Sequence, residues 1–334
     1  MKYLITGGSG FIGSNLVRYL LKHTKHEVLN IDDLTYSANP HSLDDIKNHK
    51  KYNFEKINIC SNKLEKIFNK FKPDVVMNLA AESHVDNSIK YSKKFIDTNI
   101  IGTHNILEIS RNYLNKIYGK KKFVFYHIST DEVFGDLGAN SKKLFSENSP
   151  YKPSSPYSAS KASADHLVRA WYRTYNLPII ISNCSNNYGP YQNTEKLIPL
   201  TITNALLNQN LPVYGDGLQK RDWVYVIDHV KAMYLISKKG KIGHTYSIGG
   251  KNQISNIKVV KLICSILDDL KKRDKKYSSL IRYVKDRPGH DLAYGVDITK
   301  ISSELNWKPK ENFKTGIKKT VIWYLENKYW WFNK

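Results

Sequence analysis

The sequence predicts an α/β fold: a doubly wound parallel Rossmann-type sheet with a smaller, partly interleaved C-terminal substrate-binding lobe. Short apolar segments alternate with helical segments in the first half of the chain, as in parallel strands joined by right-handed crossovers. A glycine-rich loop follows the first strand. From about residue 185 this alternation gives way to loops rich in Asn, Pro, Gly and Tyr. We therefore expect one domain at 1–185 and a second lobe at 186–334, with some of its segments returning to the first domain.

The predicted strands of the first domain end in small or polar residues. In α/β sheets, ligands bind in the crevice beyond the carboxyl ends of the strands. The strands "KYLIT", "KFKPDVVMNLAA" and "KKFVFYHIST" run into "TGGSG", "AAESH" and "STDEV", and "HEVLNID" ends at Asp32. The helices between them are predicted from "SNLVRYLLKH" and "FIDTNIIGTHNILEISRNYL". We expect these strand ends to converge on one site.

The loop after the first strand has the glycine spacing of a dinucleotide-binding turn. In "TGGSGFIGS", Gly7, Gly10 and Gly13 are three residues apart, and a helix follows. Glycines allow a close approach to a pyrophosphate, while the helix N-terminus offers N–H donors and a positive potential. Asp32 would bind the adenosine ribose and repel a 2′-phosphate, which favours NAD over NADP. The alternative is a structural glycine turn with a capping acid.

A tyrosine and a lysine lie one helical turn apart in "SPYSASKASADHLVRAWYRTY". Tyr157 and Lys161 are at i and i+4, on one face of this predicted helix. A free phenol has a pKa of about 10 and is a poor base at neutral pH. A nearby ammonium, and the cationic nicotinamide ring of an oxidised cofactor, would lower that pKa. Tyr157 could then accept a proton from a substrate hydroxyl, although such a pair alone is more often just a helix surface.

Two adjacent acids, Asp131 and Glu132, follow the strand that ends at Thr130. On a continuing strand, neighbouring side chains point to opposite faces. Both acids can serve one ligand only if the backbone turns just after Thr130, which Gly135 downstream would permit. Burial and like charge would then push their pKa values apart, leaving one carboxyl protonated and the other ionised. The alternative is a solvated pair at a strand end.

Composition excludes several classes of function. The net charge is +22, but only eight of the 52 basic residues are arginine and the lysines are scattered; nucleic-acid sites favour clustered arginines and aromatics. We therefore expect no nucleic-acid partner. No apolar run is long enough to cross a membrane, and the first strand begins at residue 2, so we expect no membrane partner and no signal peptide. Three cysteines without C-x-x-C spacing favour a reducing, cytoplasmic setting with no metal site.

The glycine loop and the Tyr-x-x-x-Lys pair together resemble the extended short-chain dehydrogenase/reductase superfamily. Within it, the triplet Thr130-Asp131-Glu132 resembles the dTDP-glucose 4,6-dehydratase family, whereas epimerases usually carry small hydroxyl or alanine residues there. The resemblance extends over nearly the whole chain. It includes "IDDLTYSAN", "AAESHVDNSI", "STDEVFGD", "SSPYSASKASADHLVRAW", "NCSNNYGPYQ", "EKLIPL", "RDWVYVIDH" and "DRPGHD".

This resemblance implies a hydro-lyase of deoxysugar biosynthesis that keeps NAD tightly bound and recycles it in each turnover. Tyr157, helped by Thr130, would deprotonate the C4 hydroxyl of a nucleotide-linked glucose while hydride passes to NAD. Glu132 would remove the C5 proton and Asp131 would protonate the departing C6 hydroxyl. Hydride return to C6 would give a 4-keto-6-deoxy sugar. Domain 1–185 would bind NAD and carry the catalytic residues, and 186–334 would mainly bind the nucleotide sugar.

The resemblance also implies the remaining site residues by position. Beside Tyr157 and Lys161, the residues implied to bind NAD are Gly7, Gly10, Phe11, Ile12, Gly13, Asp32, Asp33, Leu34, Thr35, Asn58, Ile59, Ala80, Ala81, Glu82, Ser83, Thr98 and Asn183. Those implied to bind substrate are Ser83, His84, Thr130, Asn187, Lys196, Leu197, Pro212, Val213, Tyr214, Arg221, Asn252, Asp286, Arg287 and His290. For Arg221 and Arg287 the alternative is a structural ion pair with the adjacent Asp222 and Asp286. A homodimer is implied, formed by the helix of Tyr157 and the "FIDTNIIGTHNIL" helix.

Two departures and three alternatives remain. Asn58 stands where the family usually presents aspartate toward adenine, and could hold the base more weakly. Thr194 replaces a proline in the loop before Lys196. A UDP-glucose 4,6-dehydratase would differ only in its base contact, an epimerase would lack the acids, and a non-enzymatic NAD-sensing module would have no need of them.

Overall fold

The fold is known from a computed structural model that describes residues 1–117, 122–139, 141 and 143–332. The basic run "YGKKKF" therefore lies partly outside the described residues. The strands are β1 (Lys2–Thr6), β2 (Glu27–Asp32), β3 (Tyr52–Lys56), β4 (Val75–Asn78), β5 (Val124–Thr130), β6 (Ile179–Cys184), β7 (Asn186–Tyr188), β8 (Leu211–Tyr214), β9 (Lys220–Tyr225), β10 (Thr245–Ile248), β11 (Gln253–Ser255) and β12 (Ile281–Val284).

The helices correspond to the amphipathic segments between these strands. They are α1 (Phe11–His23), α2 (Leu64–Phe71), α3 (Val85–Lys90), α4 (Ser92–Phe95), α5 (Thr103–Ile117), α6 (Pro156–Tyr175), α7 (Leu197–Leu206), α8 (Val226–Lys239), α9 (Asn256–Leu270), α10 (Thr299–Leu305), α11 (Phe313–Glu326) and α12 (Lys328–Phe332). A π-helical segment, Ile96–Gly102, joins α4 to α5, and short 3₁₀ turns lie at Pro40–Leu43, Asp131–Phe134 and Tyr277–Leu280.

The main sheet is parallel throughout, in the order β10-β6-β5-β4-β1-β2-β3. Its strands other than the exposed edge strand β3 are buried nearly end to end because helices cover both faces. One face packs against α1, α8 and α10, and the other against α2, α5 and α6. The predicted doubly wound Rossmann-type fold is confirmed. The strand order reverses between β1 and β4, which is where such sheets bind ligands.

A second apolar core lies in the C-terminal half. It is formed by α7, α9, α11 and α12 with β8 and β9, and includes Tyr188, Trp223 and Trp331. Two smaller sheets, β11-β9-β7 and β12-β8, belong to this half. However, α8, β10 and α10 pack into the first core, so the C-terminal half is interleaved with the first domain. We propose residue 185 as the boundary, with those three elements returning across it.

No helix in the described ranges has the length and apolar character needed to cross a membrane. Among the same residues, no three or more His, Cys, Asp or Glu side chains are grouped so that they could hold a metal ion. The three cysteines are free thiols, Cys184 and Cys264 being buried and Cys60 half-buried.

Candidate active site

A cavity of about 310 Å³ opens at the carboxyl ends of the strands, over the point where the strand order reverses. Its volume lies at the lower end of the range for small-molecule sites. It brings together most of the predicted cofactor and catalytic residues. These are Gly7, Gly10, Phe11, Ile12, Gly13, Asp32, Asp33, Thr35, Asn58, Ile59, Ala80, Ala81, Glu82, Ser83, Thr98, Thr130, Asp131, Glu132, Tyr157, Lys161, Asn187 and Lys196.

The glycine loop packs so closely against neighbouring backbone that two of its positions have no space for a side chain. A Cβ on Gly13 would lie 2.1 Å from the Gly7 carbonyl oxygen, and one on Gly7, whose φ is +70°, would lie 2.8 Å from Ala80 Cα. Because α1 begins at Phe11, its first N–H groups have no partner within the helix. Free N–H groups at a helix N-terminus are the donors that a phosphate site requires, so the glycine loop and the start of α1 fit a dinucleotide.

Asp32 is buried at the end of β2, beside this loop. Its two carboxylate oxygens accept hydrogen bonds from the Ser9 N–H at 2.9 Å and the Leu34 N–H at 2.8 Å. Burial raises the pKa of Asp32, and these two donors oppose that rise. Each oxygen keeps a free lone pair, so the carboxylate can still accept from a ribose hydroxyl.

Asn58 is held by its neighbours rather than left free to move. Its amide Nδ2 donates to Asp33 Oδ2 at 2.8 Å, and its Oδ1 accepts from the Cys60 N–H at 2.8 Å. An aspartate at this position would place a second carboxylate against Asp33. Asparagine therefore suits the local contact with Asp33 while still lining the cavity.

The chain turns immediately after Thr130, as the two adjacent acids required. Asp131–Phe134 form a 3₁₀ turn, and the Thr130 hydroxyl caps it by accepting from the Glu132 N–H at 3.2 Å. Gly135 closes the turn at φ +83°, where a Cβ would lie 2.2 Å from the Lys152 carbonyl oxygen. Both acids consequently line the same cavity as Tyr157. The predicted turn is confirmed.

Tyr157 and Lys161 are placed by the first turns of α6. Ser155 caps this helix through a reciprocal hydrogen-bonded box with Ser158, and Pro156 occupies the first turn. Lys161 is buried, and its Nζ donates to the Ile128 carbonyl oxygen on β5 at 2.8 Å. The ring of Tyr157 packs edge-on against Phe95, with 6.3 Å between centroids. Both residues line the cavity.

The pKa of Tyr157 differs from our expectation. Burial raises this pKa well above its usual value, and the negative charge of Glu132 raises it further, whereas the Thr130 hydroxyl lowers it. The protein alone therefore does not give the lowering expected from Lys161 together with the nicotinamide ring, because desolvation of the phenolate is the largest cause of the shift. Only further positive charge in the cavity could reverse this.

The two acids have different electrostatic surroundings. The pKa of Asp131 is raised well above its usual value by burial, and then by the charges of Glu132 and Asp222. Burial also raises the pKa of Glu132, but the positive charges of Arg287, Arg221 and Lys196 oppose that rise. Asp131 thus favours the protonated form, and Glu132 is the one that ionises more readily. Asp131 Oδ2 is buried without a hydrogen-bond partner among the described residues.

Apart from Asn187 and Lys196, the predicted substrate residues of the second lobe are not in the lining of the cavity. Arg221 donates from Nη2 to the Asp291 carbonyl oxygen at 2.9 Å, and its guanidinium lies over the Tyr294 ring. Arg287 Nη1 is 3.4 Å from Asp86 Oδ1. The structure thus shows neither of the adjacent ion pairs considered as alternatives. The predicted residues outside the lining are Leu34, His84, Asn183, Leu197, Pro212, Val213, Tyr214, Arg221, Asn252, Asp286, Arg287 and His290.

Several of these side chains already have structural partners. Asp222 accepts from the Gly250 and Asn252 N–H groups, and Asp286 pairs with His290 at 2.7 Å. Val213 is buried in the core of the second lobe, so only its backbone could reach a ligand. The Asn183 side chain donates to the Thr130 carbonyl oxygen at 3.0 Å, which orients the catalytic strand end rather than contacting the cavity.

Sequence reasoning missed part of the lining. Glu195, beside the predicted Lys196, lines the cavity, and its Oε1 is buried without a hydrogen-bond partner among the described residues. Its position next to Lys196 in "TEKLIP" could have indicated that it belongs to the site. Most of the others carry small or amide side chains, which no motif distinguishes. They are Ile31, Ser37, Ala38, Ile57, Leu79, Ile128, Ser129, Cys184, Ser185, Asn186, Gln192 and Asn193.

Comparison with known proteins gives consistent matches. The family model described as GDP-mannose 4,6 dehydratase matches residues 4–320. A dTDP-glucose 4,6-dehydratase of Neisseria meningitidis is 53% identical over 99% of this chain and 95% of its own. The solved dTDP-glucose 4,6-dehydratase of Bacillus anthracis, in complex with NAD, is 43% identical with a TM-score of 0.88, covering 100% and 99% of the two chains. That of Streptomyces venezuelae, with NAD and dTDP bound, is 39% identical with a TM-score of 0.91, covering 99% of each.

Proposed function

The chain belongs to the dTDP-glucose 4,6-dehydratase family, and from that premise we propose which of its residues carry each step of the reaction. Members are NAD-dependent hydro-lyases that convert dTDP-glucose to dTDP-4-keto-6-deoxy-glucose, and this chain has the same activity. The observation that supports our assignment of roles is that Asp131, Glu132 and Tyr157 line one cavity with the glycine loop.

NAD is the cofactor. When bound, it takes hydride from C4 of the sugar and returns it to C6. We assign its pyrophosphate to the glycine loop and the start of α1, because Gly7, Gly10 and Gly13 line the cavity where the first N–H groups of α1 have no partner within the helix. Asp32 accepts from the adenosine ribose, and Thr98 and Lys161 line the inner wall of the cavity.

Tyr157 Oη is the base that takes the proton from the C4 hydroxyl. Burial holds its pKa high, so the phenolate must form while the Lys161 ammonium and the Thr130 hydroxyl stabilise it. The hydrogen bond from Lys161 Nζ to the Ile128 carbonyl oxygen fixes the position of the ammonium beside β5. The capping of α6 fixes Tyr157 one turn away from that ammonium.

Glu132 takes the C5 proton, and Asp131 gives a proton to the C6 hydroxyl, which leaves as water. This division of roles follows from the charges that each carboxyl faces. Arg287, Arg221 and Lys196 favour the ionised form of Glu132, as a base requires. Asp131 faces Glu132 and Asp222 and keeps its proton, as an acid requires.

The substrate diphosphate binds near Arg221, Arg287 and Lys196, at the junction of the two lobes. Arginine forks bind phosphate oxygens in a bidentate manner. Arg287 Nε is buried without a hydrogen-bond partner among the described residues, so it can donate to an incoming anion. The same three cations favour the ionised form of Glu132. Binding of the diphosphate beside them therefore affects how readily Glu132 ionises.

The pure protein should convert dTDP-glucose to the 4-keto product without added NAD, and should convert UDP-glucose less efficiently. One methyl group distinguishes thymine from uracil, and such a contact changes kcat/KM by roughly tenfold to 200-fold. Product formation from the two sugars can be compared at equal concentration, with heat-denatured protein as the control. Failure to convert either sugar would contradict the assignment, and a preference for UDP-glucose would reverse the order of the nucleotides.

We also propose a homodimer formed through α6 and the α4–α5 segment. Tyr91, Ile96 and Ile101 are exposed apolar side chains along or beside that segment, and exposed apolar faces often mark contacts between subunits. Gel filtration with light scattering should give twice the chain mass of 38.6 kDa. A monomer mass at micromolar concentration would remove this proposal.

A cytoplasmic location is a further part of the proposal. It is supported by the nucleotide-sugar substrate and by the three free thiols. Cell fractionation that places the protein in another compartment would contradict it.

A further inference from the structure

Behind the catalytic pair lies a buried carboxylate that the reaction itself does not use. Asp165 is on α6, one turn after Lys161 and two turns after Tyr157, and it is fully buried. Its Oδ2 accepts from the Ser129 hydroxyl at 2.9 Å, the Tyr151 hydroxyl at 2.7 Å and the Asn183 amide at 3.3 Å. A charge buried so deeply is retained only where it is compensated.

The other oxygen of Asp165 faces a histidine whose tautomer can be deduced. The Thr6 hydroxyl accepts from two backbone N–H groups and donates to Asn78 Oδ1 at 2.7 Å. Asn78 Nδ2 is therefore the atom that donates to His127 Nδ1, at 3.2 Å. The ring proton is then on Nε2, which lies 3.4 Å from Asp165 Oδ1.

His127 is not a cation that could balance this carboxylate. Burial lowers the pKa of His127 to about 4, so the ring is neutral at pH 7. The remaining positive charges near Asp165 are Lys161, one turn away on the same helix, and Arg169, whose Nη2 donates to the Tyr151 hydroxyl at 2.8 Å.

The contacts of Asp165 join α6, which carries Tyr157 and Lys161, to the end of β5, which carries Thr130. Ser129 is adjacent to Thr130 on β5, and Ile128, the partner of Lys161 Nζ, precedes it. Asn183, on β6, donates to both Asp165 and the Thr130 carbonyl oxygen. The single carboxylate thus ties α6 to the ends of both strands.

We propose that Asp165 is a positioning residue for the 4,6-dehydratase reaction, which clamps the helix of Tyr157 and Lys161 to the strand end of Thr130 and supplies the negative charge that keeps the buried Lys161 protonated. This inference rests on the roles assigned above to Tyr157 and Lys161. Burial lowers the pKa of Lys161, and the charge of Asp165 is the first cause that opposes this lowering.

The groups that face Lys161 determine the sign of the pH effect. They are Asp165 and Tyr157 from α6, His127 from β5 and Cys184 from β6. His127 is neutral, and burial raises the pKa of Cys184 to about 12, so the thiol is neutral at pH 7. Asp165 is therefore the group whose removal would take a negative charge from Lys161. Without it, Lys161 loses its proton at lower pH.

Asp165→Asn should lower kcat by about 10²-fold, because loss of the clamp misplaces the base, and should move the alkaline limb of the kcat–pH profile down by about one pH unit. KM for dTDP-glucose should change little.

Ser129→Ala keeps the charge of Asp165 and removes its hydrogen bond from the Ser129 hydroxyl. This variant should lower kcat without moving the alkaline limb of the kcat–pH profile. Asp228→Asn is the matched control, because Asp228 is a buried carboxylate whose hydrogen-bond donors among the described residues are the Lys310 and Glu311 N–H groups; it should lower Tm and leave the profile unchanged.

An alkaline limb at its wild-type position in Asp165→Asn would overturn the charge role. If that variant does not fold, Ser129→Ala decides alone, and wild-type kcat in it would overturn the clamp. The unmodified protein is assayed alongside. Failure of the wild type to dehydrate dTDP-glucose would overturn the proposed function, whereas an active wild type with an unaffected Asp165 variant would overturn only this inference.

Discussion

Glu132→Gln should allow C4 oxidation but block the loss of water. The amide keeps the size of the side chain and removes the carboxylate that takes the C5 proton, so elimination loses its base. General base catalysis contributes about 10²–10⁴-fold, and overall turnover should fall by that factor. Reduced cofactor should then accumulate on the protein after substrate is added, visible in its absorbance, while the dehydrated 4-keto-6-deoxy product forms slowly.

The control for this variant is Glu65→Gln, which changes an exposed acid paired with Lys116. It should turn over like the wild type, since exposed ion pairs contribute little. Turnover of Glu132→Gln at the wild-type rate would refute the role of Glu132. Loss of turnover without accumulation of reduced cofactor would show that Glu132 acts before elimination.

Tyr157→Phe should stop the reaction one step earlier. Phenylalanine keeps the edge-on packing against Phe95 but has no oxygen to take the C4 proton. We expect turnover to fall by about 10²–10⁴-fold, with no accumulation of reduced cofactor after addition of dTDP-glucose. The two variants therefore have equally low turnover and opposite absorbance signals, which separates the oxidation from the elimination.

Tyr175→Phe is the matched control for this helix. Tyr175 is an exposed tyrosine at the end of α6, and removal of its hydroxyl should leave both turnover and the absorbance signal unchanged. Rapid formation of reduced cofactor in Tyr157→Phe would mean that another group deprotonates the C4 hydroxyl. Thr130 would then be the nearest candidate.

The site geometry bears on two alternatives considered from the sequence, an epimerase and an NAD-sensing module. An epimerase oxidises C4 but needs no acid and base for loss of water, whereas here a buried Asp131 and a half-buried Glu132 line one cavity with unequal surroundings. A module that only senses NAD would have no reason to hold Asp131 and Glu132 away from water at the cost of desolvation. The buried acid pair favours dehydration over both.

Local sequence patterns predicted most of the fold and the cofactor side of the site. The alternation of apolar strands and helices, the spacing of Gly7, Gly10 and Gly13, and the four-residue spacing of Tyr157 and Lys161 are short-range periodicities. Such patterns depend on backbone geometry within one or two elements. The helix of Tyr157 was therefore predicted close to its observed start at Pro156.

The substrate side was predicted less well. Val213 matched by position but is buried in the second core. Side-chain direction at these sites depends on how the two lobes pack, which no local periodicity reports. Glu195 was missed for the same reason, although its neighbour Lys196 was identified.

By itself, the sequence determined the parallel α/β fold, the dinucleotide loop and the presence of two acids beside Thr130. Only the tertiary structure decided whether those acids could act together, because neighbouring side chains on a strand diverge unless the chain turns. It also decided their protonation. Arg287, Arg221 and Lys196 are far apart in the sequence, yet all three favour ionisation of Glu132. Asp131 instead faces the negative charges of Glu132 and Asp222. The sequence alone could not predict this difference, because pKa values depend on burial and on distances in space.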